Sequence, residues 1–194
     1  ELFNVLLDMK QKVHSRIRLI RIIRDINTHY IMGGCKITHM RQLLQHTMKE
    51  NGLVCKCIRC RSVKDHHIDP MYKMKVERFN SSGSVEFFIS IVSKDETIFY
   101  GFCRLRFPND NDCMEEINGC AIIRELHVYS TLVAVHSNEK GTIQHNGFGR
   151  KLLQKAEWIS FMHGYNRVGV ISGVGVRNYY RKFGYELQRT YLIK

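Results

Sequence analysis

Residues 143–152 read IQHNGFGRKL, and the chain continues as RKLLQKAEWISFM through residue 162. In that continuation Leu152, Leu153, Ala156, Ile159 and Phe161 recur at helical spacing, so Gly147 and Gly149 stand where a helix begins. Glycine has no Cβ, takes positive φ at little cost and lets its bare N–H approach a ligand. The first turn of a helix also leaves N–H groups unpaired and carries the positive end of the peptide dipole. A close approach at this place therefore points to an anion, with a plain glycine turn as the alternative reading.

Composition limits which anion. The 194 residues are 44% hydrophobic, enough to bury a core as one domain with a smaller appendage. Lys and Arg number 30 against 18 Asp and Glu, a net charge of +12, which favours nucleic acid or a phosphate-rich cofactor. Residues 1–67 hold 13 basic and 5 acidic side chains, so the front third is the electrostatic footprint. Its candidate phosphate contacts are Arg16, Arg18, Arg21, Arg24, Arg59 and Arg61, with solvated charge as the alternative. No apolar run reaches the roughly 20 residues of a membrane span. The opening ELFNVLLDM lacks the basic start and cleavage site of a signal peptide, and the expected location is cytoplasmic or nuclear.

In such a compartment the seven cysteines are expected to be reduced. Cys35, Cys103, Cys113 and Cys120 are scattered and read as ordinary small apolar residues. Cys55, Cys57 and Cys60 form a C-x-C-x-x-C knuckle that can aim three thiolates at one tetrahedral zinc. His66 and His67 follow closely, and His67 is the candidate fourth ligand. An unmetallated basic loop is the alternative.

Residues 1–12 have a helical pattern, and RIRLIRIIRDI (16–26) has the β-branched content of a strand with a basic face. The spacing predicts a helix over 37–52 with Thr38 as N-cap, Leu43, Leu44 and Met48 on one stripe, and Gly52 as the stop. From residue 71 the chain reads as an antiparallel meander of strands joined at SSG and SKDE. A loop follows, then a long strand, CAIIRELHVYSTLVAV, on which Glu125, His127 and Tyr129 share a face. After the glycine pair and its helix come a buried strand, a short helix over RNYYRKF and a last strand beyond Gly184.

That order of elements resembles the GNAT acetyltransferase superfamily, an α/β fold with a mixed, mostly antiparallel sheet flanked by helices. The resemblance places Gln144, Gly147 and Gly149 in the family's Q/R-x-x-G-x-G/A loop. It implies that the stretch Gln144, His145, Asn146, Gly147, Phe148, Gly149, Arg150 and Lys151 holds the diphosphate of acetyl-CoA. It further implies that pantetheine lies against main chain near residues 130–136, where the long strand splays from the next. Tyr180 would sit near the departing sulfur, with Tyr179 pointing elsewhere on the same helix.

The segments RELHVY, QHNGFG, VISGVGVRNYYRKFGYEL and CIRCRSV together resemble the C-terminal half of the Elongator catalytic-subunit family, over essentially the whole chain. That family joins a radical S-adenosylmethionine domain bearing an iron–sulfur cluster to a GNAT-like domain. It uses acetyl-CoA to build a carboxymethyl-type group on carbon 5 of the wobble uridine in tRNA. The implied partners are tRNA and the other Elongator subunits. The sequence holds no C-x4-C-x2-C cluster array, so it is expected to be a fragment. The expected organisation is residues 1–36 as the end of the radical domain and linker, 37–70 as helix and zinc knuckle, and 71–194 as the acetyl-CoA-binding domain. Glu125 and His127 are candidate bases and Tyr180 the candidate acid, each against a structural alternative. Protein (histone) lysine acetylation, and a non-catalytic zinc-stabilised tRNA-binding module, are the alternative functions.

Overall fold

The alternating run after residue 71 folds as three nine-residue strands, β1 Lys73–Ser81, β2 Ser84–Val92 and β3 Phe99–Phe107. These belong to a computed structural model that describes residues 1–24, 26–63, 68–109, 114–129 and 147–194. Ser82 and Gly83 both take positive φ, 47° and 71°, so the β1–β2 hairpin closes through the twist-matched two-residue turn. Strand β4, Ala121–Val128, adds antiparallel to β3. Helix α4, Phe148–Met162, then leads to β5, Val168–Val170, which lies parallel to β4. Helix α5, Arg177–Arg181, precedes a terminal hairpin of β6, Glu186–Gln188, and β7, Tyr191–Ile193.

Among the described residues the sheet order is β1-β2-β3-β4-β5-β7-β6, mixed and mostly antiparallel. This is the expected GNAT arrangement. Phe148, Leu152, Leu153, Ala156 and Ile159 of α4 pack on one sheet face against Phe87, Ile89, Ile91, Cys103 and Leu105. Phe161, expected in that stripe, is 70% exposed. The expected single last strand is a hairpin, because Arg189 takes φ 52° and turns the chain back.

A β-bulge governs β4. Arg104 pairs with Glu125 but Leu105 pairs with Ile123, which leaves Arg124 as the extra residue. Side-chain parity changes across it. Ala121 and Ile123 face α4 before the bulge, and Leu126 and Val128 pack against the same core after it. Arg124 is pinned by Glu86 on β2, a buried carboxylate that accepts from Arg124 at 2.6 Å and from Arg106 at 3.0 Å.

The chain divides into two compact units, Glu1–Ser62 and Val63–Lys194. In the first, α1 Leu2–Lys12 and α2 Met40–Glu50 bury Leu6, Met40 and Leu44 together. A one-turn helix, α3, spans Ile58–Arg61. Gly52 ends α2 as expected, at φ 64°, with its N–H on the Lys49 carbonyl and the Leu53 N–H on that of Met48. The start differs: His39, not Thr38, is the N-cap, and no side chain caps it. Residues 16–24 form no strand. Leu19, Ile22 and Ile23 pack onto the helical core instead, and the carbonyls of Ser15, Leu19 and Ile20 accept from Arg61, Arg41 and Arg59. β-Branched residues favour a strand only where a ladder partner exists, and here side chains take that role.

Replacing Glu86 by Gln should lower the unfolding free energy by about 1–3 kcal/mol, because two guanidinium groups lose their shared charge partner. Urea denaturation checks this, with the midpoint falling and the slope unchanged.

Candidate functional site

Strands β4 and β5 share only three residue pairs, Ala121 with Val168, Ile122 with Gly169 and Ile123 with Val170. One further bond, from the Ile171 N–H to the Ile123 carbonyl, ends the contact. Beyond it, among the described residues, β4 runs on paired to β3 alone while the chain after β5 turns into α5. Leu126 and Val128 of β4, Gly149 of α4, and Val176, Tyr179 and Tyr180 line the cleft left between them, about 430 Å³ in volume. Its walls are apolar with two phenols, and its size is that of a small-molecule site.

The start of α4 opens at this cleft. Gly147 is the N-cap, in the left-handed region at φ 67°, and among the described residues no side chain caps the helix or places an acid in its first turn. The first helical bond runs from the Lys151 N–H to the Gly147 carbonyl, so the N–H groups of Phe148, Gly149 and Arg150 precede the ladder. The two glycines have different causes. A Cβ on Gly147 would meet nothing within 4 Å, and the constraint there is φ. A Cβ on Gly149 would run into the Tyr179 hydroxyl, and the constraint there is space. Lys151 donates to the Tyr72 hydroxyl and lies over the Tyr72 ring. Gln144, His145 and Asn146, and the main chain at 130–136, lie outside the described residues.

Tyr180 is 5% exposed, and burial, with Cys103 and Tyr179 beside it, pushes its phenol up to about 12. Burial also raises Tyr179. Both keep their protons at neutral pH and can donate into the cleft. Tyr179 does not point elsewhere: the two rings meet edge to face at 5.3 Å and line one cavity. Glu125 and His127 belong to the other sheet face. Glu125 lies 3.4 Å from Arg104 and 3.9 Å from His127, whose ring rests on Phe102. The bulge at Arg124 separates this pair from Leu126 and Val128.

In the first unit the sulfur atoms of Cys55, Cys57 and Cys60 all lie within 4.8 Å of one another, a spacing able to hold a metal ion. Cys57 also caps α3. Hydrogen bonds from the neighbouring thiols, and from the Cys60 and Leu19 N–H groups, push its thiol down, while Cys55 is pushed up as the donor. Lys10 of α1, which the sequence pattern did not single out, is fully buried and donates to the Cys60 sulfur at 3.6 Å. A buried ammonium is costly unless negative charge stands beside it. No carboxylate reaches it among the described residues, so the cluster is built to carry net negative charge. His67 lies outside the described residues. Of the candidate arginines, Arg16 contacts the His14 ring, Arg59 donates to the Ile20 carbonyl, and Arg61 donates to those of Lys56 and Ser15.

The strand order, the parting of β4 from β5 and the glycine-headed helix together define a GNAT-type domain. No protein-family model matches the chain. Human Elongator complex protein 3 is 38% identical over 184 residues, covering 91% of this chain and 34% of that protein. The Saccharomyces cerevisiae protein of the same name is 34% identical over 204 residues, covering 98% and 37%. A solved structure, the archaeal Methanocaldococcus infernus Elp3 with an N-terminal deletion, matches at a TM-score of 0.87 and 34% identity, covering 99% of this chain and 47% of that one. Over 91–98% of its length the chain is homologous to part of proteins named Elongator complex protein 3, and it spans about a third of the length of the curated relatives it matches.

With cobalt(II) as the probe metal, thiolate charge-transfer absorption should appear on titration. Lys10→Met should weaken that binding by roughly tenfold, as loss of an outer partner does. Equal affinity of both proteins would show that Lys10 does not serve the cluster.

Proposed function

We propose that this chain is the acetyl-CoA-binding acyltransferase domain of an Elongator complex protein 3, acting in carbon-5 carboxymethyl-type modification of wobble uridine in tRNA. The observation that carries this reading is the cleft at the β4–β5 parting, headed by the uncapped start of α4 and lined by Tyr179 and Tyr180. The N–H groups of Phe148, Gly149 and Arg150 would hold the cofactor's diphosphate, with Arg150 and Lys151 adding positive charge. Acetyl-CoA, when bound, supplies an acetyl unit activated as a thioester. Leu126, Val128 and Val176 give the cleft its apolar walls. Tyr180 holds a proton at its Oη for a leaving thiolate, its phenol near 12 keeping that proton in place through the neutral range.

Lysine acetylation would need a base at an amine nucleophile. The two candidates, Glu125 and His127, stand across the sheet from Leu126 and Val128, which favours thioester cleavage in support of RNA modification. The residues present hold no C-x4-C-x2-C array, so radical chemistry is not assigned to them. We assign the thiol cluster to one structural zinc on Cys55, Cys57 and Cys60, since three soft thiolates suit that ion and Lys10 offsets the excess charge. The basic first unit is the proposed tRNA contact, and the remaining Elongator subunits are the proposed protein partners.

Hydrolysis of labelled acetyl-CoA, measured alone and with tRNA or histone peptide, tests the reading. Stimulation by tRNA supports it, and transfer to the peptide would favour the alternative. Gly147→Asp meets open space but keeps a left-handed φ, so it should lower stability by only about 1–2 kcal/mol, yet weaken acetyl-CoA binding at least tenfold by repulsion, with Gly147→Asn as the uncharged control for the backbone cost. Tyr180→Phe should slow hydrolysis about tenfold or more with little change in acetyl-CoA affinity, because a leaving-group contact forms mainly in the transition state. Metal analysis should find about one zinc per chain, lost when Cys57 and Cys60 become Ser.

A further inference from the structure

Two guanidinium groups converge in the first unit on one carbonyl oxygen. Arg41, in the first turn of α2, donates from Nη2 to the Leu19 carbonyl at 2.8 Å and to that of Ile20 at 3.2 Å. Arg59 of α3 donates from Nη1 to the same Ile20 carbonyl at 2.7 Å. The two cations are thus held within ~6 Å, a distance at which like charges repel and a shared anion relieves them. Arg41 Nη1 is buried and has no hydrogen-bond partner. Such a donor on a charged group is rarely left unanswered in a native fold.

That nitrogen belongs to a side chain lining a cavity of about 290 Å³. Arg21, Arg41 and Arg59 bring three positive charges to it, with Thr38 and Gln42 as further polar lining. Thr38 and Gln42 flank the start of α2, an eleven-residue helix with no side-chain cap and no acid in its first turn. No described lining residue is acidic, and none is aromatic. The first fact selects an anion; the second leaves nothing on which a nucleotide base could stack. A tetrahedral oxyanion held without its base, in a unit whose excess charge is basic, fits a phosphate of a polymer better than a free nucleotide.

We infer that this cavity seats a backbone phosphate of RNA, with Arg41 as its central contact and Arg21, Arg59 and the Thr38 hydroxyl around it. The inference rests on the tRNA reading above but locates one contact within it. Arg41 receives this role although sequence alone points to Arg16, Arg18, Arg21, Arg24, Arg59 and Arg61. The guanidinium is already oriented by two carbonyls, so little further side-chain freedom is lost when it meets an anion in the cavity it lines.

The test uses the full 194-residue chain and a fluorescent 17-nucleotide anticodon stem-loop RNA, with binding measured at several salt concentrations. Arg41→Gln is expected to weaken binding five- to tenfold and to flatten the log–log salt slope by about 0.7–0.9, one phosphate contact. Arg21→Gln, at an exposed side chain, should weaken binding about threefold or more and covers the case in which Arg41→Gln fails to fold. Lys49→Gln, the same charge change outside the cavity, should cost less than twofold. If both arginine variants bind RNA no worse than Lys49→Gln, the site is overturned while the tRNA reading stands. If the unaltered chain binds no RNA, the tRNA reading fails and the inference with it. In that case, a shift of the Arg41 side-chain resonance on adding inorganic phosphate would identify a phosphate site that RNA does not use.

Discussion

The larger unit depends on where β4 stops belonging to two ladders. It pairs with β5 over Ala121–Ile123 only, and at the next residue the extra Arg124 interrupts its ladder with β3. A bulge leaves two successive side chains on one face, and here they are Arg124 and Glu125. Glu86 holds the first from β2, so a buried carboxylate fixes the point at which the strand changes parity. Everything beyond follows: Leu126 and Val128 turn toward α4 and α5, and the unpaired edge becomes the wall of a cleft. A strand without that interruption would have put Glu125 and His127 in the cleft and Leu126 on the far face.

This is also where reading the sequence reached its end. The meander, α4 and its apolar stripe, the Gly52 stop and the short tyrosine helix follow from periodicity and glycine placement, which are local signals. The bulge is not local. Its position is defined by Leu105 on one strand and Glu86 on another, so the alternation in RELHVY reveals which residues share a face and not which face it is. The same limit explains residues 16–24, whose β-branched content is real but whose Leu19 and Ile20 carbonyls are claimed by Arg41 and Arg59 from later in the chain. Tertiary demand overrides propensity at both places.

The thiol cluster was legible because its three cysteines lie within a six-residue stretch. Lys10 was not, being 50 residues from Cys60 and one lysine among several on an amphipathic helix. Yet the lysine says more about the charge of the cluster than the spacing does. Three neutral thiols would give a fully buried ammonium little compensation, and three thiolates on a divalent ion leave one negative charge for it to meet. On the proposed zinc assignment, burial of Lys10 and ligation at the knuckle would be two halves of one charge balance.

The glycine pair at 147 and 149 invites a single explanation, two bare residues for one bound diphosphate, and the geometry divides it. Gly147 has empty space around its missing Cβ and a left-handed backbone, so what it provides is direction: the chain enters α4 with its first N–H groups uncovered. Gly149 has ordinary helical geometry and no room, because the Tyr179 hydroxyl occupies the place of a side chain. Removing the first glycine's freedom would disturb the anion end of the cleft, and filling the second would push Tyr179 against Tyr180 at the other end. A motif of two glycines therefore couples the two ends of one site, which is a reason for both to be glycine even where only the first would face the proposed diphosphate.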